Sequence, residues 1–146
     1  PKASMSSGSD GYNYFLGDPF SKNGMICGAG AIKTAANSYL TDVGSDIRAV
    51  DITGTSTENL YTLVNQGHPV VVFVTTRMQN RQVATSWTTS SGRYFDFSHS
   101  DHGMVLIGYT PGTVIMADPL RGRVEYDRAQ FEKIWKGRGS MAVVLR

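Results

Sequence analysis

Two residues that support acid–base chemistry, His102 and Asp118, stand at the ends of two apolar runs. The runs 103–109 and 113–117 are rich in β-forming residues. A Pro-Gly pair lies between them, within residues 110–112, and such a pair favours a turn. The sequence therefore predicts a β-hairpin that carries a histidine near one end and a carboxylate at the other.

The predicted hairpin brings these two side chains within reach of each other. If the loop is residues 110–112, Tyr109 faces Thr113, and counting outward places Met104 opposite Asp118. His102 is then one diagonal step from Asp118, and diagonal neighbours lie roughly 7–8 Å apart. A carboxylate that holds an imidazole fixes its tautomer and stabilises the imidazolium, as in the base of a nucleophilic site. The alternative is a structural hydrogen-bonded pair, because Asp-Pro is also a common turn opening.

A nucleophile would complete such a site, and Cys27 is the only cysteine of the chain. One cysteine excludes an internal disulfide and a zinc site of several thiolates. Residues 28–40 show the apolar spacing of a helix, so Cys27 stands at a helix mouth, where the helix dipole favours a thiolate. A buried structural cysteine is equally compatible with this position. The small residues that open the helix would let a substrate or another strand approach its backbone.

Length and composition indicate one folded domain over residues 13–146, preceded by a flexible Ser- and Gly-rich terminus at 1–12. The formal charge of +2 gives no reason to expect a nucleic-acid partner. The sequence has neither a run long enough to span a membrane nor a targeting segment.

The remaining patterns predict an α+β fold with helices packed on a mostly antiparallel sheet. A capping box at Thr55–Glu58 opens a second helix, with Thr55 as the capping residue, and Gly67 ends it. The mostly polar sequence of residues 79–93 predicts a long loop. Further predicted elements are a buried strand at 70–76, a strand at 123–126, a helix around 131–135 and a final strand at 140–145.

Three segments in this order resemble the double-glycine leader peptidases and their bacterial relatives, family thirty-nine of the cysteine peptidases. They are residues 63–75 (LVNQGHPVVVFVT), 101–109 (DHGMVLIGY) and 114–122 (VIMADPLRG). The resemblance extends from Phe15 to the C-terminus. It implies a papain-like fold and hydrolysis of a peptide or protein substrate through a Cys27–His102–Asp118 triad.

The resemblance leaves two alignments open for the nucleophile. On the simpler one Cys27 is the nucleophile, backbone N–H groups at the helix mouth hold the oxyanion, and Asn23 is the nearest side-chain amide. On the other, a Gly-Asp-Pro segment like that in residues 15–20 follows the catalytic helix of the bacterial relatives. The nucleophile then lies upstream of residue 1 or on a second chain, and an N-terminal part of the domain is missing.

Other functions use the same residues. A papain-like domain without its nucleophile would be a binding or regulatory module, and the same triad also performs deamidation or transglutamination. His99 and His102 would point to opposite faces of a strand, which disfavours a metal site, and no cofactor is indicated. The resemblance implies a bacterial protein that is secreted or displayed at the cell surface.

Overall fold

The computed structural model describes residues 2–6 and 8–146, which form two compact units. One unit comprises the described residues within 1–48 and 82–99, and the other comprises 49–81 and 100–146. The expectation of a flexible terminus at 1–12 stays a prediction; Lys2–Ala3 is a short strand there, and Pro1 and Ser7 lie outside the described residues.

The described residues form eleven β-strands and three α-helices. The strands are β1 (Lys2–Ala3), β2 (Phe15–Gly17), β3 (Gly24–Ile26), β4 (Ala49–Asp51), β5 (Val70–Thr75), β6 (Thr85–Thr88), β7 (Tyr94–Phe97), β8 (Asp101–Tyr109), β9 (Thr113–Asp118), β10 (Gly122–Asp127) and β11 (Ala142–Leu145). The helices are α1 (Ala29–Asp42), α2 (Thr57–Asn65) and α3 (Arg128–Gly137), and Thr76–Met78 forms a 3₁₀ turn.

The unit of residues 49–81 and 100–146 is built on one six-stranded sheet in the order β10-β9-β8-β5-β11-β4. Every neighbouring pair in this sheet is antiparallel. The strand β5 is central and almost wholly buried, as its continuous apolar sequence predicts. The predicted α+β class with helices on a mostly antiparallel sheet is confirmed.

Two helices close the core of this unit. Apolar side chains of α2 and α3 pack against β5, β8, β9 and β11 in one buried cluster. Trp135 and Phe131 of α3 are fully buried and stack with ring centroids 6.1 Å apart. The core therefore lies directly beneath the strands that carry the predicted histidine and aspartate.

The predicted cap of α2 was wrong by one residue. Ser56, rather than Thr55, is the N-cap, and its hydroxyl accepts a hydrogen bond from the N–H of Asn59 at 3.1 Å. The side chain of Asn59 reaches back to the Thr55 hydroxyl at 2.6 Å. Both candidates are hydroxyl residues, so the cap chemistry is unchanged. The helix ends as predicted, with Gly67 at a φ of 85°.

The unit of residues 1–48 and 82–99 contains α1 and two small sheets, β1-β2-β3 and β6-β7. The predicted long loop over 79–93 is wrong, because Thr85–Thr88 is the strand β6 paired with β7. Trp87 of β6 is anchored by a hydrogen bond from its Nε1 to the Ser9 carbonyl at 2.8 Å.

No helix in the described residues 2–6 and 8–146 is long and apolar enough to cross a membrane.

Candidate active site

In the β8–β9 hairpin, the strand pairing differs from the prediction near the loop and agrees with it beyond a register shift. At the loop end Tyr109 pairs with Val114 rather than with Thr113, so the predicted register is wrong there. The register then shifts by one between Leu106 and Gly108, which is the signature of a β-bulge on β8. A one-residue shift exchanges the faces on which side chains lie, so the bulge restores the predicted alignment further along.

Beyond the bulge, His102 and Asp118 meet as predicted. Val105 pairs with Ala117, so the next residue of β8, Met104, falls opposite Asp118. The Nε2 atom of His102 lies 2.8 Å from Oδ1 of Asp118. This distance is within the range of a strong, charge-assisted hydrogen bond.

The Asp118 carboxylate is buried and holds two donors. Its Oδ1 accepts the His102 hydrogen bond and also one from the N–H of Leu120 at 2.9 Å. Burial raises the pKa of the Asp118 carboxyl, but the hydrogen bonds from Leu120 and His102 outweigh it, and the pKa lies below its usual value. The residue therefore opens the Asp-Pro turn and also orients the imidazole, combining both interpretations that the sequence left open.

The second ring nitrogen of His102, Nδ1, is the one that can take part in proton transfer. A neutral imidazole has one N–H donor and one acceptor nitrogen. The carboxylate of Asp118 only accepts, so Nε2 carries the proton and Nδ1 carries the lone pair. No hydrogen bond to Nδ1 is found among the described residues. The pair can therefore act as a general base through Nδ1.

The lowered pKa of Asp118 predicts a stability difference that depends on pH. A carboxyl whose pKa falls on folding contributes stability above its unfolded pKa, and the contribution is lost as the pH drops through the folded pKa. Asp118→Asn should therefore be most destabilising near about pH 6, and the deficit should shrink toward about pH 2. Urea unfolding at a series of pH values measures this difference.

The matched control for this prediction is Asp42→Asn, which removes one negative charge from an exposed position. It separates the effect of net charge from that of the buried hydrogen bonds. A stability deficit of Asp118→Asn that grew as the pH fell would contradict the assigned direction of the pKa shift.

Cys27 lies in the other unit, in an apolar environment. It is two residues before α1 and lines a pocket of about 340 Å³ with Phe15, Ile32 and Ala35 among its walls. Burial raises the pKa of the Cys27 thiol to about 11. A reactive cysteine needs the opposite shift, because the thiolate is the nucleophile.

The mouth of helix α1 is occupied by the chain itself. The N–H of Gly28 donates to the Gly11 carbonyl at 2.7 Å, and the N–H of Ala31 donates to the Tyr12 carbonyl at 2.9 Å. A Cβ added at Gly28 would lie 2.9 Å from Cα of Tyr12. The small residues therefore let residues 11–12 pack against the start of the helix. The N–H groups of Gly28 and Ala31 donate to the carbonyls of those two residues and not to an oxyanion.

Comparison with known proteins gives the family. A model of the Peptidase C39-like family matches residues 2–143. The chain belongs to the Peptidase C39-like family. This confirms the family resemblance that the three sequence segments indicated.

Two relatives of this C39-like chain are from Bacillus species. The chain is 31% identical over 134 residues to the uncharacterized protein YvpB of Bacillus subtilis (strain 168), and the match covers 90% of the chain and 51% of YvpB. It is 31% identical to a crystal structure from Bacillus anthracis described as a C39-like peptidase, with a TM-score of 0.80, covering 94% of this chain and 69% of that one. The chain thus spans about half the length of the curated relative that it matches.

Asn23, the predicted oxyanion residue, is exposed in the turn before β3. Its backbone N–H donates to the Ser21 hydroxyl at 3.1 Å, and its carbonyl accepts from the Asp18 N–H at 3.3 Å. These contacts assign Asn23 a role in the turn, and its role at an oxyanion stays a prediction.

In the described residues 2–6 and 8–146, no group of three His, Cys, Asp or Glu side chains could hold a metal ion.

Sequence reasoning missed an ion-pair cluster directly beside His102. The side chain of Asp101 contacts both Arg81 and Arg138, which are distant in sequence. The one available signal was an aspartate that opens an otherwise apolar strand. Its partners could not be named without the fold, because Arg81 lies in a loop and Arg138 at the end of a helix, and both are distant from Asp101 in sequence.

Proposed function

We propose that this chain supplies the general base of a thiol peptidase-type acyl-transfer site, with His102 as the base and Asp118 as the residue that orients it. The observation that supports the proposal is the 2.8 Å hydrogen bond from His102 Nε2 to Asp118. Membership of the Peptidase C39-like family supports peptidase chemistry on a peptide or protein substrate.

The arrangement accounts for the proton transfers of peptide hydrolysis. Nδ1 of His102 takes the proton of the attacking thiol, and Asp118 stabilises the imidazolium that forms. The thiolate adds to the peptide carbonyl, and the imidazolium returns its proton to the leaving amine as the peptide C–N bond breaks. Water, deprotonated by the same nitrogen, then adds to the thioester carbonyl. The C–S bond breaks, the acid is released, and the imidazolium returns its proton to the departing thiolate.

We infer further that Cys27 is not the attacking thiol. Its pKa is raised by burial to about 11, so the thiolate is disfavoured at neutral pH. Two N–H groups of the adjacent helix mouth are bound to the carbonyls of Gly11 and Tyr12. Both observations favour the alternative that the nucleophile comes from outside these 146 residues.

Alkylation of Cys27 by iodoacetamide, followed by mass spectrometry, tests this inference. The expected result at about pH 7 is slow labelling that accelerates as the pH approaches the thiol pKa of about 11. The labelling rate should be the same in wild type and in His102→Ala. The urea-unfolded chain serves as the control for an accessible thiol. Rapid labelling at neutral pH that disappears in His102→Ala would instead make Cys27 the nucleophile.

The proposed activity is tested with the natural protein and a set of fluorogenic peptides. We expect cleavage that thiol-alkylating reagents abolish. Release of ammonia without chain cleavage would indicate deamidation rather than peptidase chemistry. Peptide binding with neither product would support a binding module and contradict the proposal.

A further inference from the structure

The residue directly before His102 is a buried carboxylate held by two arginines. Asp101 accepts a bidentate pair of hydrogen bonds from Arg81, with Nε at 2.7 Å from Oδ1 and Nη2 at 3.0 Å from Oδ2. The Nε of Arg138 lies 3.2 Å from the same Oδ1. The exposed fractions of these side chains are 6% for Asp101, 11% for Arg81 and 7% for Arg138. Buried Arg–carboxylate pairs with fork geometry are directional, so they fix the position of the groups that they join.

The two arginines bring separate elements to the start of β8. Arg138 is the C-cap residue of α3. Arg81 follows the 3₁₀ turn, in which Arg77 and Met78 have φ values of 56° and 54°. Non-glycine residues keep such positive φ angles only where surrounding contacts hold them. One such contact is the hydrogen bond from Gln130 Nε2 to the Met78 carbonyl at 2.9 Å.

The start of β8 depends on these contacts because its own pairing is one-sided there. On the β5 side, Thr75 pairs with Asp101 and Val74 pairs with His102. On the β9 side, the register runs from Val105 to Tyr109 and so begins three residues after His102. Neighbouring residues of a strand point to opposite faces, so Asp101 anchors the backbone from the face opposite the imidazole.

We propose that Asp101, clamped by Arg81 and Arg138, is a positioning residue that holds His102 in register with Asp118. It touches neither the substrate nor the reacting atoms in this assignment. It acts by fixing the backbone from which the imidazole projects. The expected effect on catalysis rests on the proposed function. The position and tautomer of His102 do not, because they can be measured without any turnover.

Nitrogen NMR of the His102 ring tests this proposal through a readout that general loss of stability does not move. In wild type we expect the single tautomer with the proton on Nε2. In Asp101→Asn we expect the Nδ1–H tautomer to rise to about 10% or more, with exchange broadening. Arg81→Lys keeps the charge but loses the fork, and should give a smaller shift in the same direction. This milder variant also covers the case in which Asp101→Asn does not fold.

The matched control is Glu132→Gln, which removes the carboxylate from another arginine pair of the same unit, with Arg128 Nε at 3.0 Å. It should lower the melting temperature while leaving the His102 tautomer unchanged. A wild-type tautomer in both Asp101→Asn and Arg81→Lys would overturn the positioning role.

Peptide-cleavage assays distinguish failure of the positioning role of Asp101 from failure of the proposed peptidase function. If the natural protein cleaves peptides, Asp101→Asn should lower kcat about tenfold with KM nearly unchanged, as expected for a misaligned base. An unchanged kcat in a folded variant would count against the positioning role. A shifted tautomer in a protein that cleaves no peptide would leave the positioning role standing and remove the peptidase proposal.

Discussion

Replacing His102 with alanine is expected to lower kcat/KM for peptide hydrolysis by the natural protein by about 10²–10⁴-fold, the usual contribution of a general base. The variant has no group to take the thiol proton, and of the two hydrogen bonds to Asp118 Oδ1 it keeps the one from the Leu120 N–H. Steady-state cleavage of a fluorogenic peptide measures the loss. Circular dichroism and a melting curve establish that the variant is folded.

The matched control is His99→Ala, which removes an exposed histidine three positions earlier in the sequence. Its kcat/KM should stay within about twofold of wild type, since surface substitutions are normally mild. Retention of full activity in His102→Ala would contradict the assignment of the base. Cys27→Ala in the same assay should retain activity, in keeping with the raised pKa of that thiol.

Replacing Trp135 with alanine is expected to lower the free energy of unfolding by about 3–5 kcal/mol, as for other buried aromatic residues. The indole is fully buried, stacks on Phe131 and donates from Nε1 to the Met141 carbonyl at 3.0 Å. The substitution would leave a cavity beneath the sheet and remove one of the two hydrogen bonds to the Met141 carbonyl, which keeps the one from the Phe73 N–H at 3.3 Å. Urea denaturation monitored by circular dichroism measures the loss.

Lys133→Ala on the exposed face of the same helix controls for helix propensity. It should change the free energy of unfolding by no more than about 0.5 kcal/mol. An equally small effect of Trp135→Ala would contradict the central packing role given to this side chain.

Local sequence patterns predicted most of the elements because each pattern reports a burial preference. The continuous apolar run of β5 predicted a strand buried on both faces, and the stripe on α3 predicted the helix that covers the core. The short strand β6 was not predicted, because its sequence TSWT is polar and mostly exposed. Packing around Trp87, rather than an apolar pattern, marks it in the structure.

The meeting of His102 and Asp118 was predicted from a register that is correct only beyond the bulge at β8. The predicted loop was one residue too short, and the bulge adds the compensating residue. Sequence patterns rarely specify bulges, because they depend on how the whole sheet twists.

The surroundings of Cys27 depend on contacts that no local pattern reports. The sequence predicted a helix mouth correctly, but the occupation of its N–H groups by Gly11 and Tyr12 requires the fold. The cluster around Asp101 is similar, because it joins residues from three separate parts of the chain.

The tautomer of neutral His102 shows whether Nδ1 can take the proton of a thiol. Nitrogen NMR of the ring, in wild type and in Asp118→Asn, distinguishes a proton on Nε2 from one on Nδ1. The structure predicts Nε2–H in wild type, because Nε2 faces the carboxylate at 2.8 Å, and a mixture of tautomers in the variant. A dominant Nδ1–H form in wild type would contradict the account, since that nitrogen could not then accept the proton of an attacking thiol.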